Sequence, residues 1–215
     1  MQATKMRITK TLAVIGIALL MAAGCDGEGC PTPFAPGVVS IHPLFEERDL
    51  RFEPLLLGSW SGDNQDEKGT FRKAGEKGYE LVITKIEKDP ATKEEPSESY
   101  TVRLVELAGQ RFLDWSSRYS RLGSIPGHLF FKFQLDEDVL RLTLLDDTWL
   151  EHKVVDQRFL TYAQASCGTQ KGPVVLTAST RELQNLVLSH AQDAAVFKEE
   201  IKLRRMQEPE SALEK

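Results

Sequence analysis

The chain has few of the residue types that most often carry chemistry in proteins. Among its 215 residues are three cysteines, four histidines and three tryptophans. His42, His128, His152 and His190 stand alone, without the spacing of a zinc motif such as His-Glu-x-x-His. A glycine-rich phosphate-binding loop is also missing. These absences predict that the chain holds no metal and no cofactor, and that its histidines have structural roles.

Two other short patterns resemble catalytic sites but lack what the chemistry requires. Residues 58–62 read Gly-Ser-Trp-Ser-Gly, so Trp60 occupies the place of the serine in a nucleophile elbow. Five acids are close in sequence: Asp136, Glu137, Asp138, Asp146 and Asp147. Paired carboxylates can bind calcium or transfer protons. Aspartate is common in turns and at helix starts, however, and we favour that interpretation. The chain is therefore predicted not to be an enzyme.

Long apolar runs are absent except at the N-terminus. Lys5, Arg7 and Lys10 precede residues 11–23, which carry no charge and are mostly apolar. A run of this length is too short for a bilayer-spanning helix but is typical of the apolar region of a signal peptide. The chain is therefore predicted to enter the export pathway.

The predicted signal peptide ends in Ala22-Ala23-Gly24-Cys25. This sequence resembles the lipobox of bacterial lipoproteins, whose cysteine thiol receives diacylglycerol before the signal peptide is cleaved. The resemblance implies that residues 1–24 are removed and that Cys25 is lipidated and carries palmitate or similar acyl chains. It also implies that the chain is anchored in the bacterial cell envelope, with its domain on the periplasmic side. The alternative is an ordinary secretory signal with an incidental cysteine.

The mature chain is acidic, which excludes one class of partner. Cleavage lowers Lys+Arg from 27 to 24 and leaves Asp+Glu at 32, so the net charge becomes -8. No Lys/Arg cluster of the kind that neutralises phosphates is present. We therefore expect no nucleic-acid partner, and a membrane contact made through the lipid anchor.

A tether follows the lipidated cysteine. Residues 25–37 are rich in proline and glycine, a composition typical of a semi-extended linker. Cys30 lies in this tether and Cys167 lies far along the chain. An envelope location permits a disulfide between these two cysteines, and two unpaired thiols are the alternative.

Residues 38–200 show the pattern of a single β-rich domain. Alternation of apolar and polar residues, interrupted by turn residues, predicts eight short strands. These predicted strands cover residues 56–62, 69–73, 79–86, 100–107, 111–115, 129–135, 139–145 and 174–178. Eight strands are enough to close an antiparallel up-and-down barrel, and closure removes exposed sheet edges.

The chain is predicted to become helical after the last of these strands. Ser179 and Glu182 have the spacing of a capping box. Apolar residues then recur on one helical face, which predicts a C-terminal α-helix packed on the sheet. A second, short helix is predicted to begin at Asp146 or Asp147. Residues 201–215 are charged and are interpreted as a tail.

Several segments resemble known families. Gly58-Ser59-Trp60 resembles the Gly-x-Trp of lipocalins, members of the calycin group, in which the tryptophan closes the barrel base beneath a short helix. The wider chain resembles bacterial lipoproteins of unknown function. That resemblance is carried by His-Pro-Leu at 42–44, by Leu113-Asp114 and by Leu-Thr-Ala-Ser-Thr-Arg-Glu-Leu-Gln at 176–184. It implies a lipocalin-like barrel and no particular activity.

Two functions follow from this interpretation. The first is a non-enzymatic binding module for a small hydrophobic ligand. Its candidate ligand-binding residues are Trp60, Trp115, Phe131, Phe133 and Trp149. The alternative is an envelope interaction or scaffold lipoprotein with a filled barrel and no ligand, since small barrels can be filled or hollow.

Lipid attachment is predicted to depend on Cys25. The Cys25→Ser variant has no thiol to accept diacylglycerol, so it should incorporate no label in cells fed radiolabelled palmitate and should leave the membrane fraction. Cys30→Ser, at the next cysteine along the chain, is the matched control and should keep the label. Retention of label by Cys25→Ser would contradict the prediction.

Overall fold

The computed structural model describes residues 39–63, 66–86, 96–117, 127–156, 160–167 and 170–207. The strands are β1 (Val39–Ser40), β2 (Leu50–Arg51), β3 (Gly58–Ser61), β4 (Glu67–Lys73), β5 (Gly78–Lys85), β6 (Pro96–Leu107), β7 (Gln110–Ser117), β8 (His128–Asp136), β9 (Val139–Leu145), β10 (Tyr162–Cys167), β11 (Gln170–Leu176) and β12 (Phe197–Arg205). The α-helices are α1 (Asp147–Glu151) and α2 (Thr180–Ser189). Short 3-10 turns cover Glu47–Asp49 and Pro54–Leu56.

Eight of the strands form a closed antiparallel barrel. From β3 to β9, each strand pairs with the next along the chain. The last strand, β12, pairs with β9 on one side and with β3 on the other, which closes the sheet on itself. The predicted fold class is confirmed: the protein is mainly β, with a closed eight-stranded antiparallel barrel that is compatible with a calycin-like fold.

The eighth barrel strand is not the one that the sequence pattern suggested. The predicted strand at residues 174–178 overlaps β11 at residues 174–176, and β11 lies outside the barrel, whereas β12 completes the ring. Residues 201–205 therefore belong to the barrel and not to a charged tail. Ile201 and Leu203 pack against the interior while Lys202 and Arg204 are exposed, so the alternation is present but hidden among charges.

The connection from β9 to β12 lies on the outside of the barrel. It contains α1, the antiparallel pair β10 and β11, and α2. β10 and β11 form an antiparallel hairpin that pairs as far as Cys167 and Gln170. β1 joins this hairpin to the barrel because it pairs with β11 in parallel and with the start of β8 in antiparallel.

Two apolar clusters lie on opposite faces of the barrel wall. Along β7, Leu113 and Trp115 belong to the interior cluster, while Phe112 belongs to an outer cluster. The buried face of α2, including Leu183 and Leu186, packs in the outer cluster. The helix therefore covers the outside of the wall and does not plug the barrel. Its predicted capping box is present, with the Ser179 hydroxyl accepting from the Glu182 amide.

Cys30, one partner of the predicted disulfide, lies outside the described residues. The signal peptide, Cys25 and the rest of the tether lie outside them too. Cys167 ends β10, and its backbone pairs with Gln170. The pairing of the two cysteines stays a prediction.

The barrel role of β12 predicts how two neighbouring substitutions differ. Leu203 is buried in the interior, so Leu203→Ala should lower the free energy of unfolding by about 2–5 kcal/mol. Lys202 is exposed on the same strand, so Lys202→Ala should change it by less than about 0.5 kcal/mol. Urea unfolding followed by fluorescence measures both values. If both substitutions left the free energy of unfolding nearly unchanged, residues 201–205 would be a tail and not a barrel strand.

Candidate functional site

Large apolar side chains from all eight barrel strands fill much of the interior. A cavity of ligand size would leave accessible surface on the side chains that line it. Trp60, Leu104, Leu113, Leu140 and Leu142 are each at most 1 % exposed. This part of the barrel is therefore packed at the density of a protein core and is not a pocket.

One end of the barrel, called the base below, is where short turns join β4 to β5, β6 to β7 and β8 to β9. The segment that precedes β3 crosses this end. Phe52 stacks on Tyr79 with ring centroids 5.2 Å apart, and the Trp60 Nε1 donates to the carbonyl oxygen of Leu56 at 2.9 Å. Trp60 thus lies beneath the helical turn Pro54–Leu56, the arrangement that the Gly-x-Trp resemblance implied.

Two arginines seal the base. The Arg205 guanidinium lies 4.3 Å from the Trp60 ring centroid, and its Nε donates to Asp138 Oδ1 at 3.1 Å. Arg111 lies 4.6 Å from the Phe133 ring and pairs with Glu53 at 2.9 Å. A cation over an aromatic face contributes roughly 0.5–2 kcal/mol, more when water is excluded. These arginines were missed because no local motif marks a residue that packs on a ring from a distant strand.

The opposite end, called the mouth below, is where β4, β6, β8 and β12 begin. Trp115 points inward there, with its ring centroid 4.5 Å from that of Phe131 and 6.0 Å from that of Tyr100. Trp115 is only half-buried, unlike Phe131 and Tyr100. Its Nε1 atom is nevertheless buried and has no hydrogen-bond partner among the described residues. A buried donor without an acceptor costs about 1–3 kcal/mol, so burial of the Trp115 Nε1 atom is unfavourable.

Two half-buried carboxyls, Glu67 and Glu98, lie near the mouth ends of β4 and β6. The Tyr100 hydroxyl donates to Glu98 Oε2, and Glu98 and Glu67 are close enough to interact electrostatically. Burial raises the pKa of Glu98, the Tyr100 hydrogen bond lowers it, and the charge of Glu67 raises it again. Burial also raises the pKa of Glu67, and the positive charge of Lys85 lowers that pKa. In the described part of the mouth, these two carboxyls thus lie close to each other.

Four of the five predicted ligand-binding residues belong to the barrel interior, but they do not form one pocket. Trp60 and Phe133 contact the arginines at the base, while Trp115 and Phe131 contact each other at the mouth. The fifth, Trp149, lies on α1 outside the barrel, where its ring meets His190 at 4.8 Å. It was misplaced because apolar character alone does not reveal which side of the wall a residue covers. Tyr100, Glu67 and Glu98 were missed because strands distant in sequence supply them.

A second polar group lies on the outer face of the wall. Asp114 is 1 % exposed, its Oδ1 lies 2.6 Å from His128 Nδ1, and its Oδ2 accepts from the Leu44 amide at 2.7 Å. Gln184 Nε2 donates to the Leu44 carbonyl oxygen at 3.0 Å, and the Thr180 hydroxyl donates to the Pro43 carbonyl oxygen at 2.8 Å. The segments that resembled bacterial lipoproteins thus meet around Pro43 and Leu44.

Two of the five clustered acids, Asp138 and Asp146, have partners in the structure. Asp138 pairs with Arg205, and Asp146 caps α1 by accepting from the Trp149 amide at 2.6 Å, in agreement with the turn and helix-start interpretation. In the described parts of the chain, no group of three His, Cys, Asp or Glu side chains could hold a metal ion. No helix there has the length and apolar character needed to cross a bilayer.

Comparison with known proteins identifies no relative. No protein-family model, no curated protein and no solved structure matches the chain.

The raised pKa of Glu98 predicts a pH effect on stability. The protonated carboxyl is favoured in the folded state, so its contribution is full below the ordinary value of 4.5 and is lost as pH rises through the raised pKa. Glu98→Gln removes this titration but keeps an acceptor for Tyr100. Its melting temperature should therefore fall less than that of the wild type between pH 4.5 and neutrality. Exposed Glu76→Gln is the control, and parallel curves for wild type and Glu98→Gln would contradict the prediction.

Proposed function

We propose that the chain is a lipid-anchored, non-enzymatic binding module of the bacterial envelope that takes a small hydrophobic ligand at the mouth of a mostly filled barrel. The observation that carries this proposal is Trp115. Among the described residues, it is the inward-facing aromatic side chain at the mouth that keeps accessible surface. This surface would cover an apolar part of the ligand.

The position of the site follows from the packing of the rest of the interior. The base is sealed by Arg111 and Arg205, and the middle of the barrel is filled. We place the ligand at the mouth, against the accessible surface of Trp115 and its half-buried neighbour Leu129. Sites of this kind are mostly apolar and contain a few polar groups that orient the ligand.

The lipoprotein assignment rests on the N-terminal sequence and on the resemblance to bacterial lipoproteins of unknown function. The segments that carry this resemblance come together around Leu44 in the outer-face network. The polar groups of that network bond to one another and to backbone, and this supports a structural and not a catalytic role.

A second candidate is an envelope interaction or scaffold lipoprotein without a ligand. The packed interior, with Trp60 and Leu113 fully buried, favours it. The two candidates differ in whether the mouth holds a small molecule.

Ligand occupancy should depend on Trp115. We would purify the mature protein from a native-like host and compare its mass under native and denaturing conditions. The binding module should lose a small molecule on denaturation. Trp115→Phe shortens the ring and removes part of the apolar surface that the ligand would cover, so occupancy should correspond to an affinity about 2- to 10-fold weaker. Trp149→Phe, outside the barrel, is the matched control.

Either of two results would contradict the binding module. One is a wild-type mass that is identical under both conditions. The other is equal occupancy in Trp115→Phe and wild type. The first of these would favour the scaffold function.

A further inference from the structure

The depth to which a ligand enters the barrel follows from the side chains beneath Trp115, given the proposed binding function on which this inference rests. We infer that the ligand lies across the mouth and does not pass into the barrel, and that Leu113 is the residue that limits its depth. A compact, rigid ring molecule fits this site. An extended hydrocarbon chain, which needs depth along the barrel axis, does not.

The residues beneath Trp115 form a continuous row across four strands, called the floor row below. Leu113 is the next inward-facing residue of β7 toward the base, and it pairs with Leu104 of β6 and Phe131 of β8. Phe131 in turn pairs with Leu144 of β9. These four side chains are at most 6 % exposed, and Leu113 has no accessible surface. The accessible surface of Trp115 therefore lies above this row.

The described interior between the floor row and the base is also packed. On β9, Leu142 and then Leu140 follow Leu144 toward the base, and both are fully buried. A side chain without accessible surface borders no space that could hold even a water molecule. A hydrocarbon chain passing along the axis would therefore have to displace side chains that are packed at core density, which is unfavourable.

The surface that stays accessible above the floor row is shallow. Trp115 and Leu129 are directly paired on β7 and β8, face the interior and are both half-buried. A rigid ring molecule can cover such a surface without losing internal freedom, and an aromatic ring can also stack on the indole. A flexible chain would lose rotational freedom at many bonds for the same contact. The shallow surface therefore favours the ring molecule.

A matched pair of probes tests the inference. 2-Naphthol and 1-decanol have the same number of carbon atoms and a hydroxyl group each, but one is a rigid ring system and the other an extended chain. The mature lipidated protein, with ¹³C-labelled leucine methyl groups, would be placed in phosphatidylcholine nanodiscs. Partition of each probe into empty nanodiscs would be measured and subtracted. Intermolecular nuclear Overhauser effects then show which leucines each bound probe touches.

In the wild type, 2-naphthol should bind at least about 10-fold more tightly than 1-decanol, because a chain loses more freedom when it is ordered. Its protons should show effects to the Leu129 methyl groups and none to those of Leu140 and Leu142.

Removing the floor beneath Trp115 should admit the chain. Leu113→Ala leaves an apolar space there, so its affinity for 1-decanol should rise by about 10-fold, at about 4-fold per buried methylene, while that for 2-naphthol stays nearly unchanged. The 2-naphthol response also shows that the variant is folded. Leu113→Val is the milder variant and should gain about 2- to 4-fold for 1-decanol. Leu183→Ala removes an equally buried leucine on the outer side of the wall and is the matched control.

The outcomes separate this inference from the function on which it rests. Equal or tighter binding of 1-decanol by the wild type, or contacts of either bound probe with the Leu140 or Leu142 methyl groups, overturns the inference while the barrel remains a binding module. An unchanged affinity of both Leu113 variants for 1-decanol also overturns it. A wild-type protein that binds neither probe and carries no co-purifying molecule overturns the inference and the proposed function together.

Discussion

The double pairing of β12 is the constraint on which the rest of the structure depends. This strand pairs with β9 and β3 at once, so the sheet closes only after nearly the whole chain has been made. Closure satisfies the backbone groups that two open edges would expose. Closure also brings Arg205, the final residue of β12, over Trp60 of β3, which is the first strand of the barrel. Arg205 thereby completes the base. Ring closure and the sealed base therefore have one cause.

The position of β12 also explains the second apolar core. Because the chain leaves the barrel after β9 and returns as β12, the intervening α1, β10, β11 and α2 must pack outside the wall. Phe112 and Phe130 face outward and form a buried cluster with Leu183 and Leu186 of α2. The wall is thus buried on both faces here, and the network around Asp114 and Leu44 holds the N-terminal segment against it. The region is built for rigidity.

The mouth differs from both cores because its polar groups are incompletely matched. Elsewhere in the described structure, buried polar side chains such as Asp114 have hydrogen-bond partners, as is usual in native proteins. At the mouth, Trp115 Nε1 has none, and two carboxyls have raised pKa values because burial disfavours their charge. Costs of this kind concentrate at binding sites, where a ligand can offset them. The proposed site is thus the least satisfied part of an otherwise well-packed barrel.

The sequence by itself determined the local features: seven of the eight barrel strands, the capping box of α2 and a start of α1 at Asp146 or Asp147, because alternation and capping involve residues close along the chain. Only the tertiary structure decided that β12 and not β11 closes the ring, since both strands show usable alternation and the choice depends on pairing between distant segments. It also decided that Trp149 lies outside the barrel and that Tyr100 meets Trp115, because three-dimensional closure, and not spacing in sequence, brings such side chains together.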